Sequence, residues 1–231
     1  MRYNAEEIIN MLEKTDLGIW PHFCESSNEM LMDELGWPDN MGYAYGASKF
    51  VLIPYDEDYV IKIPYTGTTE ASCSYTLHNG EYIHEDAQYC EFINANDTYL
   101  HYWDYCYTEV MRYRIALNHG FARFFAKTKY IGNVNDFPIY IQQKVDSAAS
   151  DDIYFSKEEK DITSQSCKKS GVGCFDPNWL TAVRKWYGED EMIRLLCFIE
   201  SQEWDDDLHR HNVGYMDSGK PMILDYSSFG C

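Results

Sequence analysis

Residues 49–64 restrict the fold most. They read Lys-Phe-Val-Leu-Ile-Pro-Tyr-Asp-Glu-Asp-Tyr-Val-Ile-Lys-Ile-Pro. Two runs rich in β-branched and aromatic residues are joined by an acidic turn, which is the pattern of a β-hairpin. Lys62 stands inside the second run, between Ile61 and Ile63. An ammonium group in an apolar strand must reach water or meet an anion. Either the strand lies at an edge with its lysine aimed at solvent, or another element brings a carboxylate to it.

Downstream, residues 104–117 carry apolar side chains at helical spacing, with Glu109 among them, and Asn118-His119-Gly120 supplies a stop. Residues 121–131 and 138–145 then read as strands, the second leading out of a small sheet. Near the end comes Trp204-Asp205-Asp206-Asp207-Leu208-His209-Arg210-His211-Asn212, followed by Met222-Ile223-Leu224-Asp225. Residues 215–224 between them read as a hairpin with Asp217-Ser218-Gly219-Lys220 as its turn. Such a hairpin returns Asp225 beside Asn212. An Asp, an Asn five residues on and a second Asp closing an apolar run form a pattern suited to magnesium and phosphate.

Over residues 42–229 this order of elements resembles the protein-kinase-like superfamily. The resemblance implies an α+β, two-lobed fold, with a small antiparallel-sheet lobe and a reduced helical lobe. It implies ATP and Mg2+ as cofactors and phosphoryl transfer to a hydroxyl on an unknown protein or small-molecule acceptor. Lys62 would contact the nucleotide phosphates, oriented by a helix glutamate. That glutamate is expected to be Glu109, with Glu91 as its rival because the gap from Lys62 to Glu109 is long. Asp207 would orient or deprotonate the acceptor hydroxyl, and Asn212 and Asp225 would hold metal. Against the pattern G-x-G-x-x-G-x-V, Gly46 and Val51 match, whereas Ala44 and Lys49 replace the outer glycines. Backbone around Gly46 and Ser48 could still approach phosphate, and backbone between Gln143 and Val145 would meet an adenine edge.

The sequence also departs from the superfamily elsewhere. Asp205 and Asp206, not His-Arg, precede Asp207, and Ser227 stands where a glycine is usual. The sequence ends six residues after Asp225, so helices that dock a peptide substrate are expected to be missing. A second reading follows: a catalytically inactive kinase-fold protein that binds or inhibits a basic partner through an acidic surface. A third, a metal hydrolase built on His209 and His211, lacks further ligands at recognisable spacing.

Bulk properties set outer limits. With 231 residues and 45% hydrophobic residues, the chain can bury one domain or two small lobes. A net charge of −19 disfavours direct nucleic-acid binding, which needs lysine and arginine against phosphates. No run is long and apolar enough for a membrane span, and the start does not read as a signal peptide. A cytoplasmic location is expected, with the eight cysteines, none in a C-x-x-C pair, kept as reduced thiols.

The expected organisation has three parts. Residues 1–40 form a helical prefix, with Asn4 as an N-cap, Ile8, Ile9 and Leu12 on one face, and a second helix over 27–35. Residues 41–146 form the sheet lobe, interrupted by an insertion at 65–102 with a short helix near 87–93. Residues 147–231 form the reduced second lobe. There 147–178 read as a polar linker and 179–201 as one long helix.

Overall fold

The computed structural model describes residues 1–14, 41–45, 49–64, 105–134, 137–148, 154–167, 176–204 and 209–226. The chain is α+β, with a five-stranded antiparallel sheet, a three-stranded sheet and, among the described residues, five α-helices. It divides into two compact units. The first holds the described residues up to Val110 together with Thr128–Gln143. The second holds Met111–Lys127 and the described residues from Lys144 onward. The expected helices at 27–35 and 87–93 lie outside the described residues, as does the insertion.

In the first unit, α1 (Ala5–Leu12) starts where the Asn4 side chain accepts a hydrogen bond from Glu7 N, with Glu6 and Glu7 in the first turn. Both features favour a helix N-terminus. The sheet comprises β1 (Met41–Tyr45), β2 (Lys49–Pro54), β3 (Tyr59–Pro64), β4 (Thr128–Val134) and β5 (Phe137–Gln143), in the order β1-β2-β3-β5-β4. Thus β3 is the middle strand, and Lys62 is only 3% exposed. The edge-strand explanation for this lysine is therefore wrong.

Alternation along the strands separates two faces. Phe50, Leu52, Ile61, Ile63, Ile139 and Ile141 form an apolar core with Ile8 and Leu12 of α1. Lys49, Val51, Lys62, Tyr140 and Gln142 occupy the alternate positions. Val51 pairs directly with Lys62, and Lys62 with Tyr140. A further helix, α2 (Tyr105–Asn118), contributes Cys106 and Val110 to a small buried cluster with Tyr140.

The strand expected over 121–131 begins later than its composition suggests. Ala122–Phe124 is a single 3-10 turn, and β4 starts only at Thr128. Phe121, Phe124 and Phe125 are all buried in the core of the second unit. A tight turn inserts three aromatics on one side of the chain, which a strand of period two cannot do.

The second unit contains β6 (Asp146–Ser147), α3 (Lys157–Cys167), α4 (Pro177–Tyr187), α5 (Glu189–Ser201), β7 (Val213–Tyr215) and β8 (Pro221–Ile223). The sheet order is β6-β7-β8. Within the stretch read as a linker, α3 is a regular helix, and its start carries a signal that polarity concealed. Ser156 Oγ accepts from Glu159 N at 3.2 Å, and Glu159 Oε2 accepts from Ser156 N at 2.9 Å. This reciprocal capping box satisfies two orphan donors. Ser156→Ala should cost about 1 kcal/mol in urea unfolding. Glu159 also pairs with Lys185, and these partners lower its carboxyl pKa to about 2, the Lys185 hydrogen bond contributing most. Its stabilising contribution is present above the ordinary carboxylate range and is lost as pH falls through about 2. An NMR titration of Glu159 should show this depression, and Lys185→Met should raise the pKa back toward the ordinary carboxylate range, since Lys185 is its largest cause.

The single helix expected over 179–201 is two. Gly188 separates α4 from α5 with φ +96°, a conformation that glycine adopts readily. Asp176 caps α4, accepting from Trp179 N at 2.8 Å, with Pro177 in its first turn. Glu189, Asp190 and Glu191 open α5, where negative charge complements the helix dipole. Both helices feed one core: Trp179, Val183, Leu195, Leu196 and Ile199 bury with Val213, Ile223 and Tyr226.

The β7–β8 hairpin closes through Gly219 N to Met216 O at 2.7 Å and Met216 N to Lys220 O at 3.0 Å. Gly214 of β7 faces Ser147 of β6. A Cβ here would strike the Asp146 carbonyl oxygen and lie 2.8 Å from the carbonyl carbon. Gly214→Ala should disrupt this pairing and lower stability by about 1–3 kcal/mol, read by thermal unfolding. Among the described residues no helix is long and apolar enough to cross a membrane.

Candidate functional site

Glu109 is the centre of the first unit's polar cluster. On α2 it lies three residues after Cys106 and next to Val110, so the three share the face turned to the sheet. Its side chain is fully buried. Lys62 Nζ donates to Glu109 Oε1 at 2.8 Å and Oε2 at 2.9 Å. Lys49 Nζ also donates to Oε1 at 2.8 Å, and Lys49 is 5% exposed. Oε2 further accepts from Thr128 Oγ1 at 3.1 Å and Gln142 Nε2 at 3.0 Å. Gln142 also donates to Thr128 Oγ1 at 2.8 Å, across paired positions of β4 and β5.

The carboxylate is thus gripped from four strands, β2, β3, β4 and β5. Ionised carboxylates offer about four lone-pair directions, and this one accepts from two ammonium groups, an amide and a hydroxyl. A buried charge pair is stable when such additional hydrogen bonds satisfy its remaining capacity. Fixing Glu109 in turn fixes the Lys62 head group against the central strand.

Of the other residues named from the sequence, some lie on this sheet, some in the second unit and some outside the described residues. Val51 sits across from Lys62 on the same face. Gln143 closes β5 opposite Tyr59, and Val145 lies just beyond, before β6. Gly46, Ser48 and Glu91 lie outside the described residues. Sequence reasoning overlooked Lys49, Thr128 and Gln142 as partners of Glu109. Their signal was period-two alternation: Lys49 alternates with Phe50 and Leu52, and Gln142 follows Ile139 and Ile141, which places both on the non-apolar face.

In the second unit, Asn212 is 7% exposed and ends the turn that begins at His209. Its N donates to His209 O at 2.9 Å, and its Nδ2 lies 3.4 Å from His209 Nε2. Its backbone oxygen accepts from Leu224 N at 2.9 Å and Asp225 N at 3.2 Å. The hairpin therefore brings the Asp225 backbone to Asn212. Tyr226, the next residue, is fully buried. Its hydroxyl donates to Ala126 O at 2.6 Å, and its carbonyl accepts from Arg112. Asp207 lies outside the described residues.

His211 N donates to His209 Nδ1 at 3.2 Å. Among the described residues no group of three or more His, Cys, Asp and Glu is placed to hold a metal ion. Asn212 and Asp225 would offer such a metal an amide oxygen and a carboxylate. Magnesium commonly binds in that way, through one or two carboxylates plus substrate phosphates, so the donor set fits it.

Comparison with protein-family models, curated proteins and solved structures finds no match for this chain.

Proposed function

We propose that the chain is an ATP- and magnesium-binding, kinase-like phosphotransferase acting on a hydroxyl acceptor. The observation that carries this reading is the buried Lys62–Glu109 pair, set on the middle strand of an antiparallel sheet. The order of elements supports it: hairpin, glutamate-bearing helix, two strands, connection, helices and a second hairpin. The proposed fold is two-lobed and kinase-like, and the proposed location is cytoplasmic.

In this reading Lys62 binds nucleotide phosphate and Glu109 holds Lys62 in place. Val51 lines the nucleotide site, the backbone around Gly46 and Ser48 approaches phosphate, and that of Gln143 to Val145 meets the base. Asp207 orients or deprotonates the acceptor hydroxyl. Asn212 and Asp225 hold magnesium. The bound Mg-ATP supplies the transferable phosphoryl group, and the chain contributes positioning and neutralisation of charge.

Titration calorimetry with Mg-ATP and transfer of γ-labelled phosphate test the proposal. Asp207→Ala should retain nucleotide binding and lose transfer. A protein that binds no Mg-ATP sinks the reading. The net charge of −19 favours a second one, a kinase-fold protein without turnover that binds a basic partner. It predicts capture of a basic protein that weakens with salt, and no transfer by the native chain.

A further inference from the structure

The geometry points to Lys49 as a positioning residue that keeps Glu109 satisfied when Lys62 turns toward a bound di- or triphosphate. This rests on the reading of Lys62 as a phosphate-binding group and adds a residue to it. Lys62 already gives two of its three N–H groups to Glu109, so with one lysine facing one buried glutamate a turn toward several phosphate oxygens withdraws donors from the carboxylate. A buried carboxylate that loses a charged partner is strongly destabilised.

This site is built differently. Oε1 accepts from Lys49 as well as Lys62, each at 2.8 Å. Oε2 accepts from Thr128 at 3.1 Å and Gln142 at 3.0 Å besides Lys62. Each oxygen of Glu109 thus keeps a donor when Lys62 leaves, and one of those donors is charged. The strands allow the exchange. Lys49 pairs with Pro64 and Val51 with Lys62, so the two lysines are diagonal neighbours on one face and reach Glu109 from separate strands. Lys49 also occupies the place of the last glycine in the nucleotide-loop pattern. A position that serves backbone approach in that pattern here carries a side chain engaged with the glutamate.

The test is titration calorimetry on the full chain with Mg-ATP and, separately, adenosine, which shares the base and sugar but has no phosphate. Lys49→Met should weaken Mg-ATP binding about tenfold, the scale of one lost charged hydrogen bond, and leave adenosine binding unchanged. Lys49→Arg should restore most of the loss. If Lys49→Met does not fold by circular dichroism, Lys49→Gln, which keeps a donor to Oε1, is read in its place with a smaller loss in the same direction. Unchanged Mg-ATP binding in the Lys49 variants overturns the inference. So does an equal loss for adenosine, which marks a purely structural role. Lys62→Met distinguishes a failure at Lys49 from a failure at Lys62. If it leaves the preference for Mg-ATP over adenosine intact, or if the native chain shows no such preference, the phosphate-binding reading of Lys62 fails and the role of Lys49 falls with it.

Discussion

Glu109→Ala should destabilise the first unit by about 3–5 kcal/mol, the cost of removing one partner from a buried ion pair. Two ammonium groups, 5% and 3% exposed, would lose the carboxylate they share. Thr128 and Gln142 would lose an acceptor as well. Glu109→Gln keeps much of the shape and one acceptor oxygen but removes the charge and turns the other oxygen into a donor facing donors, so its cost should stay well above that of an exposed pair. Adding Lys49→Met and Lys62→Met to a Glu109→Leu background should recover much of the loss, because apolar side chains of similar volume often replace buried ion pairs without net destabilisation. Urea unfolding followed by circular dichroism measures all of these. A Glu109→Ala cost under about 1 kcal/mol, the range of exposed pairs, would mean that the network is not buried in solution.

Trp179→Ala is the counterpart in the second unit. The side chain is fully buried, belongs to the core formed by α4, α5, β7 and β8, and donates from Nε1 to Met222 O at 3.1 Å. Truncation leaves a cavity and an unsatisfied carbonyl, and the expected loss is about 3–5 kcal/mol. Trp179→Phe keeps most of the apolar volume but drops the hydrogen bond, so about 1–3 kcal/mol is expected. Equal costs for the two variants would show that the carbonyl contact, not the packing, dominates at this position.

What could be read in the sequence followed from strong local demands. Lys62 between two isoleucines needs water or an anion, and helical spacing across Cys106, Glu109 and Val110 places a carboxylate on an apolar helix face. These two demands are met together in the structure. The Asn4 cap and the closing hairpin were legible because their turn chemistry is local. Lys49 was harder to read. It opens the first β-rich run yet also falls on a glycine position of the loop pattern, and neither reading pairs it with Glu109, which the ladder to β3 brings within its reach. The break at Gly188 was hidden because apolar positions keep helical spacing on both sides of it. Helix α3 was hidden by its polarity, since it buries few side chains beyond Thr163 and Ser166, and only the Ser156–Glu159 box marks its start. In the second core the three phenylalanines at 121, 124 and 125 overrode their own strand preference, a tertiary effect that no short window contains.

The anchoring of Tyr226 bears on the carboxylate that precedes it. Asp225 is tied through its own amide to the Asn212 carbonyl and is followed by Tyr226, held at its ring hydroxyl and at its backbone carbonyl. A main chain clamped on both sides has little conformational freedom left to surrender, so in the proposed reading a cation would meet a carboxylate whose backbone is already fixed, at low entropic cost. The same clamping should make the amide protons of Leu224 and Asp225 among the slowest in the second unit to exchange with deuterium.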